Sequence, residues 1–250
     1  MTPFLLLSLR PEESLVQREY ELFKTLGGLR DDELELISLE EAPLPELELA
    51  AYAGVIIGGS PYRHTTPEGR RTPTQERLDR DLNGVLSQVL EREVPCLATG
   101  YGLQALVRLL GGAVSALREQ PVGGEEIRLT EEGRRDPLLA DLPVQFTTFV
   151  AHHDGCTTLP EGATVLATSH RCPVQVMRVR SEVYGVQFNP EVNGEALQAR
   201  LAAYEEAGFY PDDDSFLYRV AFSQTSDSHP AGRIIRNFVE HNARLTSLEH

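Results

Sequence analysis

The sequence predicts an α/β fold: an open, mostly parallel, doubly wound sheet with an added antiparallel portion. Two observations support this prediction. Over roughly the first half of the chain, short apolar runs alternate with amphipathic segments of helical period, which is the pattern of βαβ units. From about residue 121, short strand-like segments follow closely on one another, separated by glycine, proline and polar turns, as they do in antiparallel sheets.

The strands of the first half are predicted from short apolar runs bounded by turn residues. A glycine-rich turn, Gly58-Gly59-Ser60, follows the third of them, and Thr99 to Gly102 follow the fourth. Because ligands of open parallel sheets bind at the carboxyl ends of the strands, both turns are candidate site loops. The four predicted strands lie within residues 3–9, 34–39, 52–62 and 94–99.

The helices of the first half are predicted from their period and their ends. The first is expected to end at Gly27-Gly28, since glycine commonly follows a helix C-terminus. Another is expected to begin after Thr72, because Thr72, Pro73 and Gln75 have the spacing of a capping box.

The second half contains five predicted strands and two predicted helices. The strands lie in "EEIRLT", "FTTFVAHH", "TVLATS", "PVQVMRV" and "VYGVQF". The helices are expected over about 193–207 and 230–244, and between them the acidic run 212–214 suits the positive end of a helix dipole. A third candidate site loop, Asn189 to Glu191, follows the last strand.

Composition argues against several classes of function. The formal net charge of −15 repels phosphate backbones, so we expect no nucleic-acid partner. No apolar run reaches the ~18 residues of a membrane span, and the N-terminus reads as a core strand rather than a signal peptide. The three cysteines lie far apart and form no metal-ligand cluster, which suits a cytoplasmic protein. We expect one domain over 1–247, with 248–250 a tag remnant.

The stretch "VPCLATGYGLQALVRLLGG" (94–112) predicts a buried strand, a tight turn and a helix. That is the shape of a nucleophile elbow, yet the residue at its tip is Gly100, which has no side chain. An elbow tip lies in a strained backbone region that costs a non-glycine residue about 1–3 kcal/mol. We therefore predict that Gly100 has a positive φ, which glycine adopts with little strain.

Three motifs in this order resemble the class I glutamine amidotransferase family: "GVIIGGSP", "VPCLATGYGLQALVRLLGG" and "VYGVQFNPEV". The intervening "LTEEGRRDPLLADLP" and "AHHDGCTTLPEGATVLATS" resemble its GMP-synthase-like branch. The resemblance is good over roughly 50–195 and implies a flavodoxin-like sheet. It also implies the family's chemistry, in which an elbow cysteine attacks the amide of glutamine, a histidine shuttles protons, a glutamate orients that histidine, and a synthase uses the ammonia.

The sequence departs from the family pattern at the reacting groups. The pattern G-x-C-x-G-x-Q places Gly100 at the cysteine position, and F-H-P-E places Asn189 at the histidine position. Of the triad only Glu191 is kept, so no intact catalytic set is predicted. Glycine has no nucleophile, and an asparagine amide does not titrate near neutral pH.

The resemblance also implies a substrate pocket, with oxyanion donors near the first glycine pair and after the elbow tip. Tyr101 is expected to offer its backbone N–H rather than its ring. The sequence leaves open which of His152 and His153 faces the pocket. The predicted substrate-binding residues are Gly58, Gly59, Tyr101, Gln104 and His153.

Replacement nucleophiles are not evident near the elbow tip. Strand alternation predicts that Thr99 points to the opposite face. Cys96 is four residues before the tip, about 13 Å along a strand, and is expected in the core. Cys156 is expected to be a small packed residue.

Three functional hypotheses remain open, beside a purely structural or assembly role. The first is a binding or regulatory protein without glutaminase activity, with a glutamine-like small ligand or a protein partner, such as a synthase carried on a separate chain. The second is an enzyme of altered hydrolytic chemistry, with Glu191 as a general base helped by His152 or His153. The third is an active amidotransferase whose nucleophilic cysteine lies elsewhere. No cofactor or metal is predicted.

Overall fold

A computed structural model of the protein describes residues 2–206 and 230–248, with side chains as far as residue 243. Its described strands are β1 (Phe4–Ser8), β2 (Leu34–Ser38), β3 (Gly54–Ile57), β4 (Cys96–Thr99), β5 (Ala113–Ser115), β6 (Gln120–Leu129), β7 (Gln145–His152), β8 (Gly155–Thr158), β9 (Ala163–Thr168), β10 (Val176–Val179) and β11 (Val183–Val186). Its described α-helices are α1 (Glu13–Gly27), α2 (Pro73–Arg92), α3 (Tyr101–Leu109), α4 (Gly194–Glu206) and α5 (Arg233–Leu248).

The main sheet confirms the predicted fold class. Within the described ranges it has nine strands in the order β2-β1-β3-β4-β11-β10-β9-β6-β7. The five strands from β2 to β11 pair in parallel, and the strands from β10 to β7 continue the sheet antiparallel. Strands β5 and β8 form a separate antiparallel pair.

Strand β11 differs from the expectation for the second half of the chain. Its sequence, "VYGV", belongs to the series predicted as antiparallel, but it pairs in parallel with β4, with Val186 opposite Thr99. The strand thus belongs to both portions, because its other edge pairs antiparallel with β10. This position brings the segment after β11 next to the elbow after β4.

The hydrophobic core lies on both faces of the parallel strands. On one face Phe4 and Leu6 of β1 join a cluster with residues of α1 and α5. On the other face Leu5 and Leu7 join residues of α2 and α3. A strand covered on both faces reads as a continuous apolar run, which is why "FLLL" shows no alternation.

The predicted helix ends are largely observed. Gly28 follows α1 in the left-handed conformation, with φ 66°. The Thr72 hydroxyl accepts a hydrogen bond from the Gln75 backbone N–H at 3.1 Å. The second half of the capping box differs, because the Gln75 side chain donates to the Arg63 carbonyl at 2.8 Å rather than back to Thr72.

The remaining expectations concern the chain's later part. The acidic run 212–214 lies outside the described residues. The single domain over 1–247 and the tag remnant stay predictions.

None of the helices within 2–206 and 230–248 is long and apolar enough to cross a membrane.

Candidate functional site

Three loops meet at the carboxyl ends of β3, β4 and β11, which are neighbours in the sheet. A Cβ atom built on Gly59 would lie 2.5 Å from Asn189 Oδ1. One built on Gly100 would lie 3.5 Å from the same oxygen and 3.6 Å from Gly59 Cα. Gly59, Gly100 and Asn189, which are far apart in sequence, therefore form one site. A side chain at position 59 would force Asn189 and Arg10 to move, because the added Cβ would also lie 2.7 Å from Arg10 Nη2.

The elbow turn has the backbone shape that the sequence predicts, with glycine at its tip. Gly100 has φ 50° and ψ −108°, so the prediction of a positive φ is confirmed. Its N–H donates to Val186 O at 2.8 Å, and its carbonyl accepts from Gln104 N–H at 3.2 Å, which starts α3. The tip is therefore held by the neighbouring strand and by its own helix rather than by a side chain.

The elbow pocket is the concave space at this junction, about 450 Å³ and partly open to solvent. Gly58 and Glu191 do not line it within the described part of the chain. The predicted site residues that line it are Gly59, Gly100, Tyr101, Gln104, His153 and Asn189, and His152, Asp154 and Gln187 line it as well.

The Tyr101 side chain contacts Asp79 and His64, neither of which is among the described residues that line the elbow pocket. Its hydroxyl donates to Asp79, and its ring stacks on His64 with the centroids 3.7 Å apart. Burial, together with the Asp79 carboxylate, raises the Tyr101 pKa well above its ordinary value. The expectation that Tyr101 offers its backbone N–H rather than its ring to a ligand stays a prediction.

Gln104, His152 and His153 form one wall of the elbow pocket. Gln104 Nε2 donates to Asp154 O at 2.8 Å. His152 is buried between Asp154 O at 3.0 Å and Gln120 Oε1 at 2.8 Å, and burial lowers its pKa to about 4. His153 is held between Arg63 Nη2 at 3.0 Å and Glu119 Oε1 at 2.8 Å.

The sequence left open which of His152 and His153 faces the elbow pocket, and the structure shows that both line it. The guanidinium of Arg63 can only donate, so His153 Nε2 accepts and Nδ1 carries the proton toward Glu119. His152 is neutral at pH 7 because burial disfavours its charged form, so only one of its ring nitrogens donates a hydrogen bond, to Asp154 O or to Gln120 Oε1.

Glu191 is bound to arginines. Its Oε1 lies 3.0 Å from Arg200 Nη2 and 3.8 Å from Arg10 Nη2. Burial raises the pKa of Glu191, and the guanidinium groups of Arg200 and Arg10 oppose that shift. Because Glu191 is 1% exposed and does not line the elbow pocket, this geometry disfavours its use as a general base for water.

The predicted orientation of Thr99 is wrong. Its hydroxyl donates to Ile57 O at 3.0 Å and lies 3.4 Å from Asn189 Oδ1, so it touches the site instead of pointing to the opposite face. The regular alternation of β4 ends at this residue, because the chain turns at once into the positive φ of Gly100.

The cysteines are buried, as expected. Burial raises the pKa of Cys96 to about 12 and that of Cys172 to about 11, and also raises that of Cys156. None of them lines the elbow pocket in the part of the chain that the structure describes. Thiols that stay protonated at pH 7 are poor nucleophiles, which disfavours a relocated catalytic cysteine. The described residues also contain no cluster of three or more His, Cys, Asp or Glu suited to a metal ion.

Sequence reasoning missed three residues around Asn189: Arg10, Gln187 and Arg200. Arg10 follows β1, so the rule that sites lie at the carboxyl ends of parallel strands could have found it. Gln187 directly follows β11, so the same rule could have found it. Arg200 is on α4, and nothing in its sequence neighbourhood indicates its contact with Glu191.

The chain matches the family model "Glutamine amidotransferase class-I" over residues 26–204. It is 31% identical over 150 residues to a GMP synthase [glutamine-hydrolyzing] of Borreliella burgdorferi, covering 60% of this chain and 26% of that protein. It is 41% identical over 106 residues to the corresponding Bacillus subtilis protein, covering 42% and 20%.

These matches span about a quarter of the curated relatives' length, or less. A crystal structure of a glutamine amidotransferase from Thermotoga maritima superposes with a TM-score of 0.71 at 19% identity, covering 97% of this chain and 98% of the other. The chain therefore belongs to the class I glutamine amidotransferase family.

Proposed function

We propose that this protein does not hydrolyse glutamine and instead uses the elbow pocket to bind a small, amide-bearing molecule. One observation carries the proposal. A side chain at position 100 would begin 3.5 Å from the Asn189 side chain, so the two positions face each other as a nucleophile and its base would. In this protein they are glycine and asparagine, and neither can perform its step.

The pocket keeps groups suited to an amide ligand. Gln187 is 1% exposed, and within the described part of the chain neither its amide oxygen nor its amide nitrogen has a hydrogen-bond partner. An unpaired buried amide costs about 1–3 kcal/mol, which a ligand with a complementary donor and acceptor relieves. A glutamine-like side chain is such a ligand, and the space normally filled by the cysteine thiol gives it room.

A protein partner is a second part of the proposal. The matched relatives are named GMP synthases. A synthase on a separate chain, regulated by this protein rather than supplied with ammonia, is the partner that this resemblance favours. We also propose a cytoplasmic location, based on the three buried, unpaired cysteines of the described residues.

The direct test is a glutaminase assay of the purified protein together with glutamine binding by calorimetry. We expect binding without release of ammonia. The Gln104→Ala variant serves as the matched control, since Gln104 lines the pocket. If the unsubstituted protein releases ammonia and Gln104→Ala releases less, the activity comes from this pocket and the proposal is overturned. If Gln104→Ala binds glutamine more weakly than the unsubstituted protein, the proposal is supported.

A further inference from the structure

A second cavity lies on the other side of Asn189. It is a partly open space of about 460 Å³, open solvent included, and among the described residues it shares Ser60, Ala151 and Asn189 with the elbow pocket. We call it the arginine cavity, because two of its walls are Arg10 and Arg200. Much of the remaining lining is apolar: Phe149, Val150, Val192, Leu197 and Leu201.

The charge of the arginine cavity runs against that of the whole chain. The chain carries a formal net charge of −15, yet among the described residues no acidic side chain lines this cavity. The two guanidinium groups that line it are balanced from behind, by Glu19 at 2.8 Å from Arg10 and by Glu191 at 3.0 Å from Arg200. Each guanidinium is therefore paired with a carboxylate, but only the cationic member of each pair lines the cavity.

Arg10 has unused hydrogen-bonding capacity. Its Nε donates to Glu19 at 2.8 Å and its Nη1 donates to the Tyr204 hydroxyl at 2.7 Å. Its Nη2 lies 3.8 Å from Glu191 Oε1, too far for a hydrogen bond, and has no hydrogen-bond partner in the described structure, although Arg10 is only 2% exposed. A buried guanidinium N–H left unpaired is costly, and an incoming anion would satisfy it.

Arg10 stays charged despite its burial. Burial alone lowers the pKa of Arg10, but Tyr204 and the carboxylates of Glu19 and Glu191 more than offset this, and the pKa ends above its ordinary value. The cavity therefore keeps a fixed positive wall across the physiological pH range.

We propose that the arginine cavity is a binding subsite for a small organic carboxylate with an apolar body. One carboxylate oxygen accepts a hydrogen bond from Arg10 Nη2, and the other accepts one from the guanidinium of Arg200. The apolar body packs along Phe149, Val192 and Leu197. This subsite does not depend on the proposed loss of glutamine hydrolysis, because it lies outside the elbow pocket.

The test uses isothermal titration calorimetry of the full chain with hexanoate and with hexanamide, its neutral counterpart, at constant ionic strength. We expect hexanoate to bind about tenfold tighter than hexanamide, which is the scale of one charge-assisted hydrogen bond. Equal affinities, or no binding of hexanoate, would overturn the proposal. Inorganic phosphate competing as well as hexanoate would also overturn it, since the site would then not select carboxylates.

Variants of Arg200 test whether hexanoate binds in the arginine cavity. Arg200→Gln should weaken hexanoate binding about tenfold and leave hexanamide unchanged. Arg200→Lys keeps the charge, guards against misfolding, and should weaken hexanoate less. Arg18→Gln is the matched control, because Arg18, on α1, pairs with Glu195 of α4 and its side chain is 38% exposed.

Gln104→Ala should leave hexanoate binding intact, because Gln104 lines only the elbow pocket. If Gln104→Ala and Arg200→Gln weakened hexanoate equally, the ligand would not be bound in the arginine cavity and the proposal would fail.

Discussion

The elbow turn at Gly100 and the loop that carries Glu191 are held in opposite ways. The elbow has a positive φ, 50° at Gly100, and is held by backbone hydrogen bonds to the neighbouring strand and to its own helix. The carboxylate of Glu191 is held by the side chains of Arg200 and Arg10. The shape of the elbow therefore depends on the backbone of the sheet, whereas the surroundings of Glu191 depend on side chains from distant parts of the chain.

The first prediction concerns the buried ion pairs around Glu191 and has the largest expected effect. Arg10→Ala would leave Glu19 and Glu191 buried beside one fewer cation. We expect a loss of about 3–5 kcal/mol in the free energy of unfolding, as for other broken buried ion pairs. Urea denaturation measures it. The exposed Arg18→Ala should lose less than about 1 kcal/mol, and a similarly small loss for Arg10→Ala would show that the buried cluster is not coupled.

The second prediction concerns the pocket wall, where burial lowers the pKa of His152 from 6.5 to about 4. Between these two pH values the unfolded chain binds a proton that the folded protein excludes, so stability falls as the pH drops. We expect His152→Gln to remove a pH-dependent loss of up to about 3 kcal/mol between pH 6.5 and 4.

Denaturant titrations of His152→Gln at several pH values test this directly. His170→Gln is the control, because His170 is exposed. A variant whose stability falls as steeply as that of the unsubstituted protein would show that His152 does not contribute to acid sensitivity.

The third prediction concerns the backbone conformation of Gly100 and has the smallest expected effect on stability. Gly100→Ala should cost about 1–3 kcal/mol, because an alanine must adopt a positive φ. The cost is conformational rather than steric, since the nearest atom to an added Cβ is 3.5 Å away. Gly84→Ala, in the middle of α2 with nothing within 4 Å, should instead be neutral or stabilising. Thermal unfolding compares the two, and equal effects would argue against backbone strain at the tip.

The same contrast explains how much the sequence could predict. The elbow and its glycine tip were predictable because strand, turn and helix are local patterns, and the convergence of Gly59, Gly100 and Asn189 follows from parallel strands ending at one edge. The partnership of Glu191 was not predictable. It depends on Arg10 and Arg200, which lie far apart in sequence and meet only through the packing of α4. Thr99 was misplaced because the strand loses its alternation at the elbow.

The central claim is that a glutaminase scaffold persists here without its reactive groups. Glutaminase turnover in the Gly100→Cys/Asn189→His double variant tests it most directly, with the unsubstituted protein and both single variants as controls. We predict weak ammonia release from the double variant only, because a thiol at position 100 would face an imidazole at 189, while Arg200 still holds Glu191 away from that imidazole. Turnover in the unsubstituted protein equal to that of the double variant would contradict the account.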